Sequence, residues 1–258
     1  MKTLPALFLG HGNPMNAITS NEYTTAWAKL AAGLPRPRAI LAISAHWYQP
    51  GVHVTGQTAP PTIHDFGGFP RELFEVDYPA PGSPELAAQV QQLLGPARVQ
   101  LSQQWGIDHG TWSVLIHMYP KADVPVVQLS IDETLQPTLH LQLARQLAPL
   151  RQDGVLILGS GNVVHNLHAY GWGRKQLAPY DWGLRFEQRV RALIEAERFD
   201  DVAAYEGLGA DAALSAPTPE HFLPLLYVLG QHIPGEPIGF PCEGFDGGSV
   251  SMLAVKLG

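Results

Sequence analysis

Short, uninterrupted runs of apolar residues recur along the chain and are bounded by glycine, proline or polar residues. The runs at 5–10, 39–45 and 154–159 are too short for typical helices, and such runs are typical of fully buried strands. Further short segments predict strands at 52–55, 98–101, 124–131 and 249–255. The pattern therefore predicts several strands that lie inside a covered sheet.

Between these runs, the spacing of apolar and polar residues predicts helices at 22–33, 83–94, 111–118, 136–150, 182–197 and 218–230. Ser83 and Thr218 each precede a proline and a glutamate, the order expected of an N-cap and a first helical turn. Because strand and helix alternate, we expect an α/β fold with a mostly parallel or mixed central sheet and helices on both faces. The 23 prolines and 26 glycines are dispersed, which favours a single domain over residues 1–258.

Three of the apolar runs lead into histidine. His11 and His46 directly follow the first two runs, and His165 follows the third after the segment Ser-Gly-Asn-Val-Val. In open α/β sheets, ligands bind in the crevice beyond the carboxyl ends of the strands. Three imidazoles at such ends can converge on one point, which indicates a metal site, acid–base chemistry, or both.

The composition narrows the classes of function. A net charge of −7 argues against sequence-independent binding of nucleic acid, which needs a basic surface. No stretch approaches the ~18 apolar residues of a transmembrane helix, so no membrane partner is expected. Cys242 is the only cysteine, which excludes an intramolecular disulfide and a cysteine-based zinc site. The simplest location for such a protein is the cytoplasm.

Other histidines and aromatic residues are candidates for the same site. His221 lies at the start of the predicted helix 218–230, where the positive end of the helix dipole disfavours a protonated ring. His109 begins a predicted helix after Asp108, and His64 and Asp65 lie in a long loop that can cover the sheet edge. Taken singly, each histidine is also explained as a turn, core or surface residue. An aromatic pocket is one interpretation of five residues, Trp47, Tyr48, Phe66, Phe69 and Trp112.

The segments LFLGHGNPMNAI, ISAHW, PPTIHDFGGFP, DHGTWSVL, PVVQLSID, GSGNVVHNL and PTPEHFLPLLYVLG occur in this order from about residue 5 to the C-terminus. Together they resemble the 4,5-DOPA extradiol dioxygenase family, part of the LigB-like, class III group of extradiol ring-cleavage enzymes. The resemblance implies the LigB-like αβα sandwich. It also implies ring opening of a catechol, DOPA-like or another small one, with O2 to give a semialdehyde acid.

The resemblance further implies roles for individual residues. A non-haem metal would be held by His11, His46 and His221, with His165 facing it as an acid–base residue or a further ligand. His109 would contact the substrate or bound oxygen. More distant LigB-like enzymes use a glutamate where this chain has His221, and the neighbouring Glu220 is expected to point to another side of the helix.

We expect three residues, His64, Asp65 and Trp47, to contact the substrate. Fe(II) is the expected cofactor for activity, and Zn(II) is expected to occupy the same histidines without supporting oxygen chemistry. The expected partners are a small aromatic diol and O2. The sequence leaves open whether the protein forms a homo-oligomer. A zinc-dependent hydrolase using the same three histidines is the alternative function, because an open zinc site activates water. A metal-binding protein without catalytic activity is a third hypothesis.

Overall fold

The structure is a computed structural model that describes residues 3–174 and 177–258. Its strands are β1 (Ala6–Gly10), β2 (Ala39–Gln49), β3 (Val52–Thr55), β4 (Val99–Ser102), β5 (Val126–Asp132), β6 (Val155–Gly161), β7 (Ile238–Gly239), β8 (Phe245–Asp246), β9 (Val250–Ser251) and β10 (Ala254–Leu257). Eight of these strands form one sheet in the order β4-β3-β5-β2-β6-β1-β10-β7, and β8 pairs with β9 in a small hairpin.

The centre of the sheet is parallel and its flanks are mixed. Strand β6 lies between β1 and β2 and is parallel to both, and β2 is also parallel to β5. Strand β10 is antiparallel to β1, and β3 is antiparallel to β5. The predicted α/β class with a mixed central sheet is thus confirmed. Because β1, β2 and β6 run in one direction, their carboxyl ends lie at the same edge of the sheet.

The helices are α1 (Glu22–Ala32), α2 (Arg71–Phe74), α3 (Pro84–Leu94), α4 (His109–Met118), α5 (Pro137–Arg145), α6 (Pro149–Gln152), α7 (Asp181–Glu195), α8 (Phe199–Ala203), α9 (Ala210–Ser215) and α10 (Leu223–Leu229). Short 3-10 helices cover Pro14–Ile18 and Tyr205–Leu208. Within the described ranges, no helix combines the length and apolar character needed to cross a membrane.

Apolar side chains pack on both faces of the sheet because successive residues of a strand point to opposite sides. Phe8 of β1 belongs to one buried cluster, with residues of α3, α5, α7 and α10. Its neighbours Leu7 and Leu9 belong to a second cluster, with Trp27 of α1 and Trp112 of α4. Burial of alternate residues in two cores explains why the strands appear in the sequence as continuous apolar runs.

Two predicted elements are divided in the structure, and a third is longer than predicted. The predicted helix 136–150 is two helices, α5 and α6, and the second starts at Pro149, which cannot donate a backbone hydrogen bond. The predicted strand 249–255 is divided between β9 and β10. Strand β2 extends to Gln49, so His46 lies within it, at an irregularity in the pairing with β5 between Ile43 and Tyr48.

The predicted helix 218–230 begins only at Leu223, so Thr218 is not its N-cap. The backbone N–H of Asn162 donates to the carbonyl of His221 at 2.8 Å, which takes that carbonyl out of helical pairing. His221 therefore lies in the turn before α10, and its backbone is fixed to the residue that follows β6. His221 is thus positioned by this backbone hydrogen bond and not, as predicted, by the first turn of a helix.

A buried arginine joins the two ends of the chain. Arg151, 1% exposed, pairs with the carboxylate of Glu236, which is 12% exposed, at 2.7 Å. The same guanidinium donates to the carbonyls of Leu4 at 2.7 Å and Leu257 at 3.2 Å, and to that of Gln231. It therefore fixes the segments before β1 and after β10 to α6, the helix that contains Arg151.

We predict that Arg151→Met lowers the free energy of unfolding by about 3–5 kcal/mol, because it leaves a mostly buried carboxylate and several carbonyls without a donor. The matched control is Arg145→Met, which removes the exposed pair with Asp200 and should cost less than about 1 kcal/mol. Chemical denaturation measures both changes. Equal losses in the two variants would contradict the prediction.

Candidate metal centre

Five histidine rings meet at the carboxyl edge of the central strands. His11 follows β1, His46 lies near the end of β2, and His165 follows β6. His109 starts α4, and His221 precedes α10. The rings of His11, His46 and His221 form a nearly regular triangle, with centroid separations of 5.1, 5.2 and 5.4 Å. The structure thus brings together all five histidines that the sequence proposed for the metal or for catalysis.

The end of β6 positions two of these residues through backbone contacts. The N–H of His11 donates to the carbonyl of Gly161 at 3.1 Å. The N–H of Asn162, the residue after Gly161, donates to the carbonyl of His221. A Cβ atom at Gly161 would lie 2.2 Å from the His221 oxygen, so only glycine permits this approach. A turn far along the chain is thereby placed against the centre of the sheet.

A different oxygen lies beside the Nδ1 atom of each ring in the triangle. Ser160 Oγ lies 3.0 Å from His11 Nδ1 and donates its own proton to the carbonyl of Gly110, so it accepts from the ring. Asp65 Oδ2 lies 3.1 Å from His46 Nδ1, and Glu220 Oε1 lies 3.1 Å from His221 Nδ1. With the proton held at Nδ1, each Nε2 is left with a free lone pair.

Burial keeps the rings of His11 and His221 neutral. Desolvation, reinforced by the neighbouring imidazoles, lowers the pKa of His11 and of His221 well below the ordinary value. Burial alone would raise the pKa of Asp65, but its contacts with the rings of His109 and His46 outweigh it and hold that pKa well below the usual range. A neutral imidazole with a carboxylate behind it is the form of histidine that binds metal.

Asp65 also contacts a fourth histidine. Its Oδ1 accepts the backbone N–H of His109 at 2.9 Å and lies 3.0 Å from the ring Nδ1, which is buried without an aligned hydrogen bond. The His109 and His46 rings are 3.8 Å apart. The carboxylate expected to bind substrate is therefore already engaged by two histidines, and it acts on their orientation.

The donor atoms fit a divalent metal ion. Nitrogens of His11, His46 and His109 lie within 4.8 Å of one another, and His165, Glu220 and His221 form an adjoining group of the same kind. Nε2 of His46 is 3.3 Å from Nε2 of His11. Histidine nitrogens that lie this close together are the chemistry of a three-histidine metal-binding site.

His165 lies against the triangle. Its ring is stacked on that of His221, with centroids 3.5 Å apart and planes 7° from parallel. Its backbone N–H donates to the carbonyl of Ser215 at 2.7 Å. Burial lowers the pKa of His165 to about 4, so this ring is also neutral near pH 7 and able to accept a proton.

A cavity of about 290 Å³ opens over the histidines. Its wall holds the five imidazoles and Asp65 together with Gly12, Asn13, Pro14, Phe66, Gly67, Phe69, Leu167, Tyr170, Trp172 and Val250. Two expected substrate contacts lie outside it. Trp47 points to the opposite side of β2 from His46 and stacks on Trp105 at 5.4 Å. His64 turns its Nε2 to the carbonyl of Val76 at 2.8 Å and holds the loop.

Sequence reasoning missed or misplaced several residues of the site. Glu220 does not point away, as expected, but contacts the ring of His221, because residues 220–222 form a turn rather than a helix. Ser160 lies in the Gly-Ser-Gly-Asn segment, yet its partner is 149 positions away. Tyr170 and Trp172 line the cavity from the segment after His165, and no local pattern identified them.

We predict that Asp65→Asn weakens metal binding by about 10- to 100-fold, because an amide no longer stabilises the proton on His46 Nδ1. Competition with a chromophoric chelator measures the dissociation constant. Asp77→Asn, a change at an exposed carboxylate in the segment after α2, is the control and should leave affinity unchanged. Unchanged affinity in Asp65→Asn would show that the carboxylate does not act on the ligand.

The chain is similar to a known group of enzymes over nearly its full length. The family model described as "Catalytic LigB subunit of aromatic ring-opening dioxygenase" matches residues 6–236. An Escherichia coli K12 protein named "4,5-DOPA dioxygenase extradiol" is 50% identical over 262 residues, covering 99% of this chain and 95% of the relative. A Beta vulgaris protein of the same name is 38% identical over 259 residues, covering 97% and 95%.

A solved structure gives the same result for the fold. A crystal structure of an Escherichia coli K12 protein superposes with a TM-score of 0.86 at 44% sequence identity, and the match covers 99% of this chain and 100% of that one. The resemblance found in the sequence motifs is therefore confirmed. This chain belongs to the LigB family of aromatic ring-opening dioxygenases.

Proposed function

We propose that this protein opens the ring of a catechol with O2, outside the two hydroxyl-bearing carbons, to give a semialdehyde acid at a three-histidine Fe(II) site. The observation that carries the proposal is the triangle of imidazoles, each with its Nδ1 beside an oxygen, at the floor of an aromatic cavity. The names of the relatives, 4,5-DOPA dioxygenase extradiol, support a catechol as the substrate.

The metal ligands we propose are Nε2 of His11, His46 and His221. The centroids of their rings are almost equally spaced, as those of three imidazoles around one ion must be. The ring centroid of His109, in contrast, is 3.8 Å from that of His46 and 6.0 Å from that of His11. Fe(II), when bound there, supplies open coordination positions and a redox-active centre for oxygen chemistry. Zn(II) fits the same nitrogens but has no accessible redox change.

The proton transfers fall to His165. A catechol must lose a proton when it binds, and His165 is neutral at the cavity wall and so can receive it. The same ring, once protonated, can later donate that proton as a general acid. His109, whose backbone N–H is held by Asp65, has its ring in the cavity wall, and we assign it a hydrogen bond with an oxygen of the substrate or of O2.

The walls suit a flat, apolar ring. Phe66, Phe69 and Trp172 line the cavity around the imidazoles. Such side chains exclude water and orient an aromatic ring by stacking. We prefer ring cleavage to the zinc-hydrolase alternative, because the matched family and the named relatives are dioxygenases.

The direct test is metal loading. Protein stripped of metal, loaded with Fe(II) under nitrogen and then exposed to O2 with a panel of catechols is expected to consume O2 and form a coloured ring-cleavage product. The Zn(II)-loaded protein is the control and should form none. No product from any catechol would refute the proposal, and ester hydrolysis by the zinc form would favour the hydrolase.

We predict that His165→Ala slows ring cleavage by about 100- to 10,000-fold, because the proton acceptor is lost. Bound iron, measured by elemental analysis, should be unchanged if His165 is not a ligand. His168→Ala, an exposed histidine three positions later, is the control and should keep full activity. Full activity in His165→Ala would contradict the acid–base role, and loss of iron would identify the ring as a ligand.

A further inference from the structure

A pair of buried polar side chains lies behind the site, between β5 and the start of α4. Gln128 of β5 and Asp108, the N-cap residue of α4, are both 0% exposed. The backbone N–H of Asp108 donates to Oε1 of Gln128 at 2.8 Å, and Nε2 of Gln128 donates to Oδ2 of Asp108 at 2.7 Å. Neither residue lines the cavity, and the proposed metal ligands and proton transfers do not include them.

Further hydrogen bonds connect this pair to its surroundings. Oδ1 of Asp108 accepts the backbone N–H of Thr111 at 3.1 Å and thereby caps α4, and its Oδ2 lies 3.4 Å from the indole nitrogen of Trp105. The backbone N–H of Gln128 donates to Oγ1 of Thr55 at 2.9 Å. A buried carboxylate is tolerated only with such donors around it. The pair therefore fixes the first turn of α4 to the middle of the sheet.

The first turn of α4 supports two of the proposed metal ligands. The carbonyl of Gly110 accepts the hydroxyl proton of Ser160, whose oxygen lies 3.0 Å from Nδ1 of His11. The Cα atom of Gly110 faces His46, and a Cβ atom there would lie 2.7 Å from the ring carbon Cδ2. A shift of this one residue therefore changes both the hydrogen bond behind His11 and the space that the His46 ring can occupy.

A polar pair at this position adds direction to the packing of strand and helix. Val126 shares the face of β5 with Gln128 and is apolar and fully buried. An apolar residue at position 128 would also fill the space, but it would accept several positions of the helix against the sheet. The two hydrogen bonds of the pair are satisfied in one arrangement only. The pair thus determines where the first turn of α4 lies.

We infer that Gln128 is a positioning residue for the metal centre. Through Asp108 it sets the place of Gly110, and through Gly110 it sets the geometry of His11 and His46. The inference rests on the three-histidine centre of the proposed function and adds a residue that lies outside the cavity. Loss of the pair should therefore alter how the histidines bind a metal ion, beyond any loss of stability.

Co(II) is the probe of ligand geometry, since its visible absorption depends on the arrangement of the donor atoms. We expect Gln128→Met to weaken Co(II) binding by about 10- to 100-fold and to change this absorption, because the support of two ligands is displaced. Competition with a chromophoric chelator measures the affinity, and chemical denaturation measures the free energy of unfolding.

The matched control is Gln231→Met. Gln231 is also fully buried, and its Nε2 donates to the carbonyls of Ala144 at 2.7 Å and Tyr227 at 3.1 Å. None of these three residues lines the cavity. Gln231→Met should lower the free energy of unfolding, as Gln128→Met does, and leave the affinity and absorption of Co(II) unchanged.

An exchange of charge within the pair tests the hydrogen bonds themselves. Gln128→Glu alone turns two carboxylates toward each other, and Asp108→Asn alone turns two amide N–H groups toward each other. In the double variant, the carboxylate at position 128 accepts both the backbone N–H and the side-chain N–H of position 108, so both hydrogen bonds return. We expect each single variant to impair Co(II) binding and the double variant to restore it. The exchange also serves if Gln128→Met does not fold.

The outcomes separate this inference from the proposed function. Wild-type Co(II) affinity and absorption in Gln128→Met, or an equal change in Gln231→Met, overturns the role of Gln128. A folded double variant that binds Co(II) as weakly as the single variants overturns it as well, and restored binding supports it. If binding is restored while Fe(II)-loaded protein cleaves no catechol, the proposed function fails and the positioning role stands. Absence of Co(II) binding by wild-type protein overturns both.

Discussion

The site depends on which ring nitrogen of each histidine carries the proton. A buried imidazole carries one donor and one acceptor, and in this fold an oxygen of Ser160, Asp65 or Glu220 lies beside each Nδ1 of the triangle. That arrangement leaves Nε2 as the acceptor nitrogen of each ring, and the Nε2 atoms of His11 and His46 lie 3.3 Å apart. Lone pairs that lie this close together are unfavourable until a cation lies between them.

The supporting oxygens come from distant parts of the chain, so metal affinity and fold are linked. Ser160 belongs to the central strand β6, Asp65 to a long loop, and Glu220 to the turn before α10. The backbone after β6 also fixes His221, and the close approach at Gly161 makes that contact possible. A metal ion bound by these rings would stabilise the arrangement of all three segments, because a ligand that binds only the folded state favours it.

The hairpin of β8 and β9 gives the cavity a wall that is independent of the metal ligands. It pairs with the segment that follows His165, through the contacts of Asn166 with Ser249 and of Gly171 with Gly247. The segment that carries His165 at one end thus carries Tyr170 at the other. One short stretch of chain, held by this hairpin, therefore lines the cavity at both of its ends.

The sequence by itself determined the α/β class, the buried strands and the family, because the spacing of apolar residues and the short sequence motifs are local properties of the chain. It also named the histidines that the structure brings together, since strand ends of one direction meet at one edge. Only the tertiary structure decided that Asp65 and Glu220 orient histidines, that Trp47 faces away, and that Tyr170 lines the cavity. These facts depend on hydrogen bonds and packing between segments far apart in the chain, and the local pattern of residues does not predict such contacts.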